Sequence, residues 1–137
     1  MVDRLILARK LDTLKGYIQR LERYSELTEE QYLGDADTYD LAERLLHLSI
    51  ECMLDSCQHV IADLRLRSPE TNADVFQSLL EGQLLTSEQA AKWRRWAGFR
   101  NILVHLYDRI DHRISYRSIR EELSELTEFL RWAQNLL

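Results

Sequence analysis

The sequence predicts an all-α fold, an up-and-down bundle of four long helices plus one short helix. Three observations carry that expectation. Only four glycines and one proline, Pro69, punctuate 137 residues, too few breakers for the turns of a sheet protein. Apolar residues recur in steps of three and four along most of the chain, the period of a helix face. Hydrophobic content of 45% with 30% charged residues suits one packed core rather than a disordered tail. The whole span 1–137 is expected to be a single domain.

The first helix is expected from about Val2 to Glu26, with Leu7, Leu11, Leu14, Ile18 and Leu21 as its apolar stripe. Thr28-Glu29-Glu30-Gln31 has the order of a capping box in a short turn, and Gly34 ends it. Asp37 or Thr38 then caps a helix from about Tyr39 to Arg65. Its apolar residues, among them Leu41, Leu45, Leu46, Ile50, Met53 and Ile61, cover more than half the circumference. A helix that apolar is buried on several sides. Arg67-Ser68-Pro69 breaks the chain, and a shorter helix through Val75, Phe76, Leu79 and Leu80 closes at Gly82. Thr86-Ser87-Glu88-Gln89 is a second capping box and opens a helix carrying Trp93, Trp96, Phe99, Ile102, Leu103 and Leu106. Asp108 to Arg113 reads as a polar connection. The last helix begins near Ser115 or Tyr116 and carries Ile119, Leu123, Leu126, Leu130, Ala133 and Leu137 on one face.

No apolar run is long enough to span a membrane, and the N-terminus lacks the apolar core of a signal peptide, so a cytoplasmic location is expected. Cys52 and Cys57 lie about 140° apart on a helix, poorly placed to bond each other, and read as small core residues in a reducing compartment. No Cys/His spacing fits a zinc site. The net charge of −5 argues against a generic nucleic-acid coat. That average hides an asymmetry. From Lys92 to Arg120 eight cations face only Asp108 and Asp111, a local +6 on a remainder of −11. Such a face suits a polyanion bound at one place, with Lys92, Arg94, Arg95, Trp96 and Arg109 as RNA-binding candidates. A merely solvated face of two helices accounts for the charge equally well, and packing accounts better for at least one of Trp93 and Trp96.

The densest chemistry is in Arg100-Asn101-Ile102-Leu103-Val104-His105-Leu106-Tyr107. Histidine takes and gives a proton near neutrality. Arginine grips phosphate oxygens with a planar, permanent cation, and tyrosine adds a hydroxyl and a ring that stacks on a base. Metal-free RNA cleavage needs these parts: a base for the 2′-hydroxyl, a cation for the phosphate and an acid for the leaving oxygen. Asn101 and His105 share a helix face, so the amide is placed to orient the imidazole. Arg100 and His105 lie about 140° apart on an ideal helix. They meet on one phosphate only if the helix loosens near Val104 or a second chain contributes. Glu51, Asp55 and His59 form a polar line on the second long helix, from which Glu51 or Asp55 is a candidate partner for Arg100. His47 and His112 have no partner pattern and are expected at the surface.

The order arginine, polar residue, three others, histidine, one residue, tyrosine, set in a small helical chain, resembles the HEPN superfamily. The fuller run from Phe99 to Tyr107, followed by Ile110-Asp111, is similar to its HepT group, the toxins of HepT/MntA toxin–antitoxin pairs. The resemblance implies a homodimer whose motif helices meet across a two-fold axis. It implies a metal-independent endoribonuclease, acting in some relatives on tRNA and needing no cofactor for cleavage. Arg100 and His105 match the positions regarded as catalytic there, Asn101 the polar position beside the arginine. Tyr107 matches the tyrosine that an MntA-like minimal nucleotidyltransferase modifies with AMP, using ATP and magnesium. A second reading remains: a catalytically silent helical module that partners a nucleotidyltransferase or binds nucleotides.

Overall fold

A computed structural model describes residues 3–137, the side chain of Tyr107 apart, and among the described residues every regular element is helical. Helix α1 (Arg4–Tyr24) opens at Asp3, whose carboxylate accepts from the N–H groups of Leu5 and Ile6. Val2, the expected start, lies outside the described residues. All five leucine and isoleucine positions of the α1 stripe are buried. The Thr28 capping box forms, but it opens a true helix, α2 (Glu29–Leu33), rather than a turn. The reason is Tyr32, whose fully buried ring anchors that one turn to the core.

Helix α3 (Ala36–Asp63) is capped by Asp35, earlier than the expected Asp37 or Thr38. One Asp35 oxygen accepts from the Asp37 N–H at 3.1 Å and the other from the Thr38 hydroxyl at 2.9 Å. The chain leaves α3 through Arg65 in the left-handed region (φ 53°), with the Leu66 N–H returning to the Ile61 carbonyl at 2.9 Å. Arg67 then forks across Asp74 and Glu81, at 2.8 and 2.9 Å, fastening the Pro69 corner to helix α4 (Asp74–Glu81). The Arg67 guanidinium, and after it the Glu70 N–H, hold the Asp74 carboxyl down at about 2. Helix α4 closes at Gly82, as expected, and the left-handed residue of the turn that follows is Gln83 (φ 63°). A Cβ at Gly82 would meet the terminal methyls of Leu66 at 2.9 Å, so a larger residue there would have to displace that side chain.

Helix α5 (Ser87–His105) starts at the Thr86 capping box, as expected. A single 3-10 turn (Tyr107–Arg109) leads to α6 (His112–Glu121), capped by Asp111, and then to α7 (Leu123–Gln134). The expected last helix therefore starts earlier and is broken at Glu122 (φ −118°, ψ 2°). Helix α3 is the central member and packs against α1, α2, α4, α5 and α6, while α7 closes the bundle against α1 and α5. Its apolar wheel is buried as predicted, except that Leu41 stays exposed. Cys57 is buried, which pushes its thiol up, and both cysteines are free.

Among the described residues one charged group sits in the core. Glu43 of α3 is buried, and its Oε2 accepts from the Ser115 hydroxyl at 2.7 Å and faces His112 Nδ1 at 2.6 Å. The Ser115 oxygen lies 2.7 Å from the Tyr32 hydroxyl, and His112 stacks on Tyr39 at 3.8 Å. A buried carboxylate without such partners would be strongly destabilising. Here the partners come from α2 and α6, so the network fixes where the chain re-enters the bundle after α5. His112, expected as an unpartnered surface residue, is a member of that network.

Candidate functional site

The motif occupies the last turn and a half of α5. The helix is intact there: the Leu106 N–H donates to the Ile102 carbonyl at 3.0 Å, and only Leu106 itself (φ −125°, ψ 34°) departs from helical geometry. The loosening near Val104 that would let Arg100 and His105 converge within one chain is absent. Their directions differ accordingly. Arg100 is half-buried against α3, whereas Asn101, Ile102, His105 and Leu106 are exposed. Among the described residues no hydrogen bond joins Asn101 to His105, so the amide does not orient the imidazole in this chain. Tyr107 follows at the start of the 3-10 turn, and its side chain lies outside the described residues.

Arg100 reaches α3 through its Nε, which donates to Glu51 Oε1 at 2.5 Å. Among the described residues its two terminal nitrogens make no hydrogen bond, leaving the outer fork for a phosphate. Glu51 is thus the acidic partner, and Asp55, one turn further along α3, is exposed with no ion pair among the described residues. His59, at the end of that polar line, lies 3.0 Å from Asp63. The same Glu51 oxygen is 3.3 Å from Nε2 of His47, and Nδ1 of His47 is 3.0 Å from Arg44 Nη1. His47 is therefore partnered, contrary to expectation. Its signal was present in the sequence, because Arg44, His47 and Glu51 step by three and four along one α3 face.

A groove of about 450 Å³ runs beside this row, floored by Leu103, Val104 and Ile110 and walled by Asp40, Glu43, Arg44, His47 and His112. Among the described residues no three His, Cys, Asp or Glu side chains gather where they could hold a metal ion.

The basic face is mostly spoken for. Lys92 pairs with Glu128 at 2.9 Å and Arg95 with Glu125 at 3.0 Å. Arg113 pairs with Asp111, and Arg120 donates to the Ser25 carbonyl. Arg94, Arg109 and Arg117 are exposed, with no ion pair among the described residues. Trp96 is corrected as a base-stacking residue. It is 2% exposed, and its indole N–H donates to Glu125 at 2.9 Å, so neither ring face reaches solvent. Trp93 is buried too and donates to the Glu125 carbonyl at 3.1 Å. These tryptophans hold α5 on α7.

Residues 14–132 match the family model described as ribonuclease HepT-like. The chain is 27% identical over 136 residues to the tRNA nuclease HepT of Aphanizomenon flos-aquae, covering 99% of this chain and 92% of that protein. It is 25% identical over 126 residues to the mRNA nuclease HepT of Shewanella oneidensis, covering 91% and 93%. Its fold matches the tri-AMPylated Shewanella oneidensis HEPN toxin in complex with MNT antitoxin, with a TM-score of 0.87, 23% identity and coverage of 98% and 99%.

Proposed function

Since the chain belongs to the ribonuclease HepT-like family, we propose that it is an endoribonuclease toxin, neutralised by AMP addition from a minimal nucleotidyltransferase partner. Two of its relatives are named as nucleases of tRNA and of mRNA, and its structural counterpart is AMPylated in complex with an antitoxin. The observation that carries the mechanistic part is the unbroken end of α5. Arg100 and His105 sit on one continuous helix yet face different ways. A single chain presents half a site, and a two-fold axis along the exposed end of α5 completes it. Ile102 and Leu106, 40% and 41% exposed beside His105, are the apolar surface such a contact would cover.

In the composite cleft Arg100 holds the phosphate with its outer fork, Glu51 occupying the inner edge. One His105 removes the 2′-hydroxyl proton, the 2′-oxygen attacks phosphorus, and the bond to the 5′-oxygen breaks. The second His105, brought by symmetry, gives that oxygen its proton, leaving a 2′,3′-cyclic phosphate. No metal enters these steps. The test is purified chain with tRNA and with mRNA in EDTA: cleavage in the chelator is expected, and intact RNA overturns the reading. Light scattering should give a dimer at micromolar concentration, and a monomer would remove the composite cleft.

Tyr107 is the proposed acceptor of AMP, transferred from ATP with magnesium on the partner enzyme. The added phosphate and nucleoside sit two residues from His105 in sequence and compete with RNA phosphate by charge and volume. Incubation with the cognate nucleotidyltransferase should add AMP masses to the wild type and silence it. Tyr107→Phe is expected to accept none at this position by peptide mass spectrometry and to stay active. An equally modified Tyr107→Phe would move the acceptor elsewhere.

A further inference from the structure

Resting on that reading of Arg100, we propose that His47 is a positioning residue for the site, locked in one tautomer by Arg44 and acting on Arg100 through Glu51. The argument starts from what a guanidinium can do. Arginine carries N–H donors and no acceptor, and stays protonated. The His47 Nδ1 that lies 3.0 Å from Arg44 Nη1 must therefore be the accepting, unprotonated nitrogen. The ring proton is then on Nε2, which lies 3.3 Å from Glu51 Oε1. That oxygen also receives Arg100 Nε at 2.5 Å. In the row Arg44, His47, Glu51, Arg100 each donor thus meets an acceptor: Arg44 donates to His47, and His47 and Arg100 both donate to Glu51 Oε1.

Such a row has work to do here. Glu51 is one-third exposed and, alone, has the rotamer freedom of a surface carboxylate. An imidazole N–H directed at the oxygen that Arg100 uses restricts it to the orientation that keeps the guanidinium edge-on. His47 is itself held, because its ring lies in the wall of the groove between α3 and the end of α5, beside Arg44 and above Leu103 and Val104. None of these side chains supports the core. Arg44 is exposed and His47, Glu51 and Arg100 are only partly buried, so disruption of the row leaves the fold in place.

The test separates positioning from packing. His47→Ala is expected to lower kcat/KM for RNA cleavage about ten- to a hundredfold, the usual cost of a misplaced catalytic group, with the thermal midpoint near wild type. His47→Gln, which keeps an N–H donor near the position of Nε2, should recover most of that loss, whereas His47→Asn should not. Nitrogen NMR of the imidazole should show Nδ1 unprotonated in the wild type, and Arg44→Ala should release that tautomer. If the wild type cleaves RNA and His47→Ala cleaves as fast, the inference fails while the ribonuclease reading stands. If the wild type does not cleave at all, that reading fails, and the tautomer measurement still decides the row: a proton on Nδ1 overturns it.

Discussion

His105→Ala is expected to lower the single-turnover rate of RNA cleavage by about 10²–10⁴-fold, the usual contribution of a positioned general acid or base. The size follows from where the residue sits. His105 is the last residue of α5 and exposed, so removing its ring sacrifices no core packing and leaves no buried partner. The loss therefore falls on chemistry and not on folding. In a two-fold site each substitution removes the base from one half and the acid from the other, which places the effect toward the upper end. Arg100→Ala should act differently. It removes a phosphate contact as well as transition-state stabilisation, raising KM along with lowering kcat. It also leaves Glu51 facing RNA phosphate with no cation between them. Single-turnover rates of labelled RNA across a range of enzyme concentrations separate the two. A His105→Ala protein within tenfold of wild type would assign the proton transfer to another group.

Trp93→Ala is expected to destabilise the protein by about 3–5 kcal/mol, the usual cost of emptying a buried tryptophan site. Trp93 has no exposed surface, meets Phe129 edge-on at 5.2 Å and leans on Trp132 at 5.6 Å. Its N–H also donates to the Glu125 carbonyl at the start of α7, a bond that alanine would remove. Against a typical total of about 5–15 kcal/mol, that is a large share of the stability. Equilibrium urea unfolding followed by circular dichroism measures it. The midpoint should fall with little change in slope, and a shift worth less than about 1 kcal/mol would mean that Trp132 and Phe129 close the gap.

Much of this fold is legible in the residue order because it rests on local periodicity. The α1 stripe, the central burial of α3, and the Thr28 and Thr86 caps all depend on residues within a few positions of one another. The misreadings are of contacts made at a distance. His112 appears unpartnered until the fold brings Glu43 to it across 69 residues. The break at Glu122 carries neither glycine nor proline, and the apolar steps run through it from Ile119 to Leu126. It becomes intelligible only with Glu125 in view, since α7 must aim that one residue at Trp93, Arg95 and Trp96 together. Trp96, read beside its basic neighbours, resembled a stacking platform, and the same contact buries it. At the site the motif residues stood out, as did Glu51 as a candidate for Arg100. His47 did not, because a histidine on a helix shows its value only once its partners on both sides are known, here the donor Arg44 and the acceptor Glu51.

The fastening of α5 to α7 is uneven along its length. Lys92, Trp93, Arg95 and Trp96 tie the first half down, whereas the final turn exposes Asn101, Ile102, His105 and Leu106. In terms of amide exchange, the early half of the helix belongs to the unit that opens only with the whole protein, and its end opens by local fraying. A second subunit seated on that end would add what the chain by itself lacks. Protection of the last-turn amides would then rise with protein concentration, while that of the first half would not.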